Sequence, residues 1–176
     1  LARVARAADI IVAGGTAPPS ASSFRTADPA EIALVSGRPV LVVPNHGSPL
    51  RAEAVIVAWK DTQEARRAVA DALPILKAAD EVHVVEVYPE GKLAEAEFRT
   101  GDVVAALRRH GVKARGRAVF APDIEVGAVL NGQARLIDAD LIVAGCYGHS
   151  RLNEWFFGGA TRELLQGRDR YLLMSH

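Results

Sequence analysis

From residue 54 onward, short apolar runs alternate with longer helical patterns. The runs are near-continuous in aliphatic residues, as expected for strands covered on both faces; they are Ala54–Trp59, Val82–Tyr88, Lys113–Phe120, Asp140–Gly145 and Tyr171–Ser175. The stretches between them have the caps and periodicity of helices, at about 61–78, 94–110, 123–138 and 158–167. Asp61 with Glu64 is expected to cap the first of these helices. This alternation predicts an α/β fold with a doubly wound, Rossmann-like parallel sheet of five strands.

Two segments near the start of the chain recur near its end. AADIIVAG at 7–14 resembles DADLIVAG at 138–145, and residues 33–46 resemble residues 163–176. The offset is 131 residues from Gly14 to Gly145 and 130 from Gly37 to Gly167. The repeat predicts a first-domain C-terminal remnant at 1–46, a linker at 47–53 and a complete second domain at 54–176.

Two further expectations concern the first-domain remnant. Leu1 opens a helical pattern, so the chain is expected to be a piece of something longer. The last strands of the two copies, near Pro39–Val43 and Arg170–Met174, are apolar and are expected to pair with each other antiparallel.

Charge and composition exclude several classes of function. The chain has 21 Lys and Arg against 21 Asp and Glu, so it lacks the basic excess of a surface that binds nucleic acid or membrane. Cys146 is the only cysteine, and no apolar run is long enough to span a membrane. We therefore expect a cytoplasmic protein with no disulfide framework, no Cys-based metal site, and neither nucleic-acid nor membrane partners.

One loop has the spacing of a phosphate cradle. Its glycines fall as Gly145-x2-Gly148-x9-Gly158, between a strand and a helix. Glycines allow the backbone to approach an anion closely, and the N–H groups at the start of a helix, here 159–161, attract phosphate. In a doubly wound sheet the ligand crevice lies at the carboxyl ends of the strands, so the loop 60–62 would form its opposite wall.

These segments resemble the universal stress proteins, specifically the tandem kind with two domains in one chain. The resemblance rests on VIVAW at 55–59, RHGVKA at 109–114, ADLIVAG with YGHSR at 139–151, GRPVLVVP at 37–44 and the final LLMSH. It implies an adenine-nucleotide alpha hydrolase-like sheet of strand order 3-2-1-4-5. It also implies a homodimer formed through fifth-strand edges.

The same resemblance implies a nucleotide site. Gly145, Gly148 and Gly158 match the motif of the ATP-binding members, His149 lies where a phosphate contact is expected, and Thr161 matches a second hydroxyl. Gly159 replaces the usual Ser or Thr, and Lys60 replaces the Asp that contacts the nucleoside. The candidate nucleotide-binding residues are Gly145, Gly148, His149, Gly158, Gly159, Ala160, Thr161 and Lys60. The implied cofactor is ATP or another adenine nucleotide, with or without Mg, or no cofactor.

Two functions fit the sequence best. One is a stress-response protein with a nucleotide-binding second domain; the other is a nucleotide-free dimerisation and interaction module. No nucleophile elbow and no metal-ligand spacing occurs in the sequence, so we do not expect an enzyme, and a slow ATPase is the third alternative. Cys146 and His83 are expected to serve packing.

Overall fold

The computed structural model describes residues 5–14, 28–45, 48–121, 125–146, 158–166 and 169–176. The strands are β1 (Ile11–Gly14), β2 (Val40–Val43), β3 (Ala54–Ala58), β4 (Glu81–Tyr88), β5 (Ala114–Phe120), β6 (Leu141–Gly145) and β7 (Tyr171–Ser175). The helices are α1 (Pro29–Ser36), α2 (Gln63–Ala78), α3 (Leu93–Arg109), α4 (Val126–Leu136) and α5 (Gly158–Gln166), preceded by a short 3-10 turn at Ala5–Ala7. No helix within the described ranges is long and apolar enough to cross a membrane.

All seven strands form one sheet, in the order β1-β2-β7-β6-β3-β4-β5. The five strands of residues 54–176 pair parallel throughout, and numbered along the chain they have the predicted order 3-2-1-4-5. The α/β prediction is therefore confirmed. The sheet has two more strands than the five predicted because β1 and β2 extend it.

The two halves of the sheet meet at an antiparallel junction, as predicted. Strand β2 pairs with β7, and Val42 lies opposite Leu172. These two residues are equivalent in the internal repeat, since the offset in this segment is 130 residues. The junction is thus an approximate twofold axis that passes through one pair of equivalent residues.

This pairing corrects the expected dimer surface. Strand β2 has β1 on its other side, and β7 has β6, so both edges of both strands are occupied within the chain. Neither β2 nor β7 therefore has a free edge through which the expected homodimer could form. The outer strands of the sheet are β1 and β5.

Helices cover both faces of the sheet and create two cores. One core lies under α2 and α3 and contains Val57, Leu76, Leu107 and Val143. The other lies under α1, α4 and α5 and contains Ile56, Leu130, Ile142 and Met174. Burial of this apolar surface is the main force that holds the sheet and its helices together.

The helix starts differ in detail from the prediction. Thr62, not Asp61, is the N-cap of α2, since its hydroxyl accepts from the Ala65 N–H at 3.3 Å. Asp61 instead forms an ion pair with Arg66 one turn later. At α1 the side chain of Asp28 accepts from the Ala30 N–H at 3.0 Å, and Pro29 occupies the first helical position, where its missing N–H costs nothing.

Candidate functional site

A cleft of about 970 Å³ opens at the carboxyl ends of β3, β4 and β6. Its floor is formed by these strand ends, and its walls by the first turns of α2 and α5 and by residues of α3 and α4. This is the place where a parallel sheet of this order leaves a crevice, because the connections from neighbouring strands run to opposite faces. Lys60, Gly145, Ala160 and Thr161 all line it, so the cleft lies where the sequence predicts a ligand.

A cluster of charged groups lies on the α3 side of the cleft. Glu86 points from the interior of β4 and is only 5% exposed. Arg99 donates to it through Nε, at 2.9 Å to Oε1 and 3.2 Å to Oε2, and through a terminal nitrogen as well. Such a forked, charge-assisted contact is among the stronger hydrogen-bonding arrangements in proteins. The Glu86 hydrogen bond raises the pKa of Arg99 further, so the guanidinium stays charged.

Lys60 lies beside this pair. Burial lowers the pKa of its amine, the negative charge of Glu86 acts in the opposite direction, and Arg99 lowers it again. Lysine is donor-only, so the side chain offers a cation to the cleft where the ATP-binding pattern has a carboxylate acceptor. The substitution therefore changes which ligand atoms this wall can bind.

The outer rim of the cleft carries two exposed ion pairs. Lys92 lies 2.7 Å from Glu95, and Glu95 also lies 3.5 Å from Arg99. The hydrogen bond from Lys92 lowers the pKa of the Glu95 carboxyl. Exposed pairs of this kind contribute little stability, so their importance here is the charge they place at the entrance.

Gly145 is explained by packing. A Cβ at this position would lie 2.6 Å from the backbone N of Ala65 and 2.7 Å from the carbonyl carbon of Glu64. No real side chain tolerates such distances to backbone atoms, so the first turn of α2 can sit on the end of β6 only if residue 145 is glycine. The first glycine of the motif is therefore required by the fold, whether or not a ligand binds.

The start of α5 supplies the backbone N–H groups that the sequence predicts. Gly158, Gly159, Ala160 and Thr161 form its first turn, and Thr161 is buried while lining the cleft. Among the described residues, a Cβ on Gly159 would meet only the tip of Glu163, at 3.4 Å. Glycine is thus not needed at 159 for space.

Glu163 fixes the position of α5. Its carboxylate accepts from the Gly127 N–H at 2.7 Å, at the start of α4. A negative charge there satisfies an N–H group at the α4 N-terminus and complements the dipole of that helix. Gly127 must be glycine for this contact, since a Cβ on it would lie 2.5 Å from the Glu163 Cβ.

Gly148 and His149 lie outside the described residues. Of the eight predicted site residues, the structure therefore places six, and it brings Lys60, Gly145, Ala160 and Thr161 to one cleft with Gly158 and Gly159 in the adjoining helix turn. Over the described ranges, no group of three or more His, Cys, Asp or Glu residues is positioned to hold a metal ion.

Cys146 serves packing, as predicted. Its side chain is fully buried in the core beneath α1, α4 and α5. Burial raises the pKa of the thiol to about 12, helped by the charges of Glu64 and Asp28. A thiol with such a pKa is protonated at neutral pH and unreactive as a nucleophile.

Local sequence patterns did not mark Glu86, Arg99 or Glu64 as residues of the cleft. A charged residue inside the apolar strand VHVVEVY was a usable signal for Glu86, because a buried carboxylate requires a partner. Its partner lies 13 residues away on α3, and nothing in the local pattern marks Arg99 for that role. Only the packing of α3 on β4 brings them together.

Comparison with solved structures identifies the architecture. A universal stress protein from Archaeoglobus fulgidus superposes with a TM-score of 0.74 and 15% identity, over 99% of this chain and 64% of that one. The chain has the universal-stress-protein fold. It spans less than two thirds of the length of that Archaeoglobus protein. No protein-family model matches the sequence, and no curated protein matches it.

Two further structures with the universal-stress-protein fold contain nucleotides. One, from Archaeoglobus fulgidus, is in complex with dAMP; it has a TM-score of 0.56 and 19% identity and covers 69% of this chain and 95% of its own. The other is a universal stress protein in complex with cAMP, with a TM-score of 0.58, 21% identity and coverage of 70% and 96%. At these identities the likeness establishes a shared fold.

Proposed function

We propose that this chain is a stress-response protein of the universal-stress-protein family that binds an adenine nucleotide in the cleft between Lys60 and Thr161. The observation that carries the proposal is the cleft itself. It has room for a nucleotide, it lies at the carboxyl ends of β3, β4 and β6, and the first turn of α5 lines it. The dAMP and cAMP complexes of proteins with this fold support the choice of an adenine nucleotide.

The chemistry of the two walls suits such a ligand. N–H groups at the start of α5 would receive a phosphate, with Thr161 as a further donor. The apolar side chains of Val87, Val126 and Leu130 would contact the base. The proposed role is binding rather than catalysis, because the described cleft residues include no activated nucleophile and no metal cluster.

Calorimetric titration with ATP and AMP tests this proposal. Ala160→Gln should abolish the heat of binding, since the larger side chain projects from the first turn of α5 at the cleft wall. Ala128→Gln places the same change on an exposed position of α4 and should leave binding intact. Absence of binding by the unchanged protein at sub-millimolar nucleotide would refute the proposal.

A nucleotide-free interaction module is the second candidate. It is favoured by Gly145, which packing alone accounts for, and by Lys60, which replaces the nucleoside-contacting acid of the ATP-binding pattern. Nucleotide that copurifies with the protein, measured as absorbance at 260 nm after denaturation, would count against this candidate.

We further propose the domain division 1–46, 47–53 and 54–176, in which the first part is the last segment of a first universal-stress-protein unit. The Val42–Leu172 pairing supports it, because equivalent strands of two related units would meet in this symmetric way. Cleavage by a protease restricted to 47–53, followed by gel filtration without denaturant, should leave the two pieces associated through β2 and β7.

A further inference from the structure

The outer strand β5 and the end of α3 carry a dense run of basic residues in a chain whose total charge is zero. Residues 103–121 include no Asp and no Glu, whereas five of the 21 Lys and Arg residues lie within 108–117. All five are exposed; they are Arg108, Arg109, Lys113, Arg115 and Arg117. Positive charge is therefore concentrated at this edge of the sheet, although the chain as a whole is neutral.

Two of these residues, Arg115 and Arg117, project from one face of β5. Gly116 lies between them and faces α3, since a Cβ on it would lie 3.4 Å from the Thr100 Cβ. Because successive side chains of a strand alternate, both arginines project on the opposite face, about 7 Å apart along the strand. No ion pair or hydrogen bond to a residue that the structure describes involves either side chain. The two guanidinium groups thus form a short row of charge without counterions from the described chain.

The acidic residues at the start of the neighbouring strand already have partners. Asp80 lies 3.0 Å from the Nζ of Lys113. Glu81 lies 3.0 Å from the Nε2 of His83, which is the residue of β4 opposite Arg115. These carboxylates are therefore engaged elsewhere, and the arginine row remains available to an external anion.

The main chain of β5 is open on its outer side. The Val82 N–H of β4 donates to the Lys113 carbonyl at 3.0 Å, so the odd-numbered residues of this segment bond toward β4. The hydrogen-bonding groups of successive strand residues alternate in direction, so those of Gly116 and Ala118 point away from β4. No strand among the described residues lies on that side. An edge of this kind can pair with a further strand.

An acidic polypeptide matches both the open main chain and the charges. A strand added to the edge places every second side chain beside the arginine row, so carboxylates at alternate positions would neutralise it. A second copy of β5 would place arginine beside arginine, which is unfavourable. A nucleic acid or an anionic membrane would meet the charge but would not pair with the main chain of the strand.

We propose that β5 is a docking edge for an extended acidic segment of a partner protein. The segment pairs with the main chain at Gly116 and Ala118, and its carboxylates contact Arg115 and Arg117. Its intervening apolar side chains lie on the other face, beside Phe120, which is 50% exposed. No residue of β5 lines the nucleotide cleft, so this proposal is independent of the function proposed above.

Fluorescence anisotropy on the full chain tests the charge requirement, with a labelled peptide of about eight residues in which glutamate and valine alternate. This peptide should bind with a Kd below about 1 mM, and the same peptide with lysine for glutamate should not bind. The double variant Arg115→Gln and Arg117→Gln should bind the acidic peptide at least about fivefold more weakly. Arg135→Gln is the matched control at an exposed position of α4 and should leave the affinity unchanged.

Ala118→Pro tests the main-chain contact. It removes an N–H that points outward, and proline is tolerated on an edge strand at such a position. The acidic peptide should bind this variant at least about tenfold more weakly, although both arginines remain. A thermal melt verifies that the variant folds. An acidic peptide methylated on alternate amide nitrogens, added to the unchanged protein, removes the same kind of hydrogen bond without a substitution and should also bind more weakly.

Three results would overturn the proposal. The first is absence of binding of the acidic peptide at about 1 mM. The second is equal affinity of the double arginine variant and the unchanged protein. The third is binding that is unaffected both by Ala118→Pro and by methylation of the peptide. A single-stranded oligonucleotide or phosphatidylserine vesicles that bind more tightly than the peptide, and equally well to Ala118→Pro, would assign the arginine row to another polyanion and likewise overturn it.

Discussion

The two ends of this chain fold into the same unit but lie in different surroundings. Residues 11–43 form β1, α1 and β2, and residues 141–175 form their repeats β6, α5 and β7. Strand β6 lies between β3 and β7 with α2 above it, whereas β1 pairs with only one of the described strands. Equivalent residues consequently have opposite burial: Val143 is fully buried under α2, and Val12 is 62% exposed.

The same contrast holds for the helices. Leu164 of α5 is 6% exposed because α4 packs against that helix, while its equivalent in α1, Leu34, is 44% exposed. Local sequence is similar at both ends, so the difference comes from the neighbours that each unit has. A strand–helix–strand unit of this type acquires a complete core only from the elements packed around it.

The helix starts differ in a way that concerns function. At α1 the carboxylate of Asp28 already accepts a hydrogen bond from the Ala30 N–H, and its negative charge would repel an anion that approached this helix start. At α5 the residues before the helix are Trp155, Phe156 and Phe157, which carry no capping oxygen. The first unit thus caps its helix start with its own side chain, whereas α5 begins at Gly158 and Gly159, which have no side-chain acceptor.

Replacement of the two equivalent glycines should give the largest contrast. Gly145→Ala should cost about 3 kcal/mol of the free energy of unfolding, because its Cβ meets the backbone of α2. Gly14→Ala should change this free energy by less than about 0.5 kcal/mol, since no described residue lies within 4 Å of a Cβ placed there. Urea denaturation of both variants measures the difference, and equal costs would show that the two strand ends are not packed as described.

Truncation of the two equivalent valines should give the next largest effect. Val143→Ala removes two methyl groups from a fully buried site and should cost about 2 kcal/mol, whereas Val12→Ala should cost less than about 0.5 kcal/mol. Thermal unfolding of both variants provides the measurement. A similar loss at Val12 would mean that β1 is covered in solution by a further element or chain.

A carboxylate placed at the start of α5 should make it resemble α1. Gly159→Asp has room for its Cβ and should weaken ATP binding about tenfold, through repulsion between the new charge and the phosphates. Gly159→Asn has the same shape without the charge and serves as the control. Calorimetry that finds both variants equally impaired would attribute the effect to size rather than charge.

Loss of the cap at α1 should have the smallest effect. Asp28→Ala removes the acceptor for the Ala30 N–H and should cost about 1 kcal/mol of stability. Asp28→Asn retains a capping oxygen and should cost little. Chemical denaturation distinguishes them, and an equal loss in both would indicate that the charge of Asp28, not its hydrogen bond, stabilises the helix.

Much of the architecture followed from local patterns. Apolar runs located all five strands of residues 54–176 to within one residue at each end, and the repeat predicted the antiparallel contact between β2 and β7. The N-cap of α2 was wrong by one residue, because Asp61 and Thr62 are both good capping residues and only the observed contacts with Ala65 and Arg66 distinguish them. Helix α4 is shorter than predicted, at Val126–Leu136.

For the candidate site, too, local patterns predicted one part and only the tertiary structure explained the other. The glycine spacing located the cleft correctly, since Gly145 and Thr161 belong to loops that the strand order brings to one edge. The reason for Gly145 could not be read from the spacing, because the backbone it contacts lies about 80 residues earlier, at Glu64 and Ala65.

By itself, the sequence determined the alternation of strands and helices, the repeat and the position of the glycine-rich loop, all of which depend on residues close together along the chain. Only the tertiary structure decided which side chains share the cleft and which charges are paired there. It brought Glu86 to Arg99, and it buried Val143 while exposing Val12. Pairing and burial depend on neighbours distant in sequence, so two related segments of one chain acquire different stabilities and different chemistry.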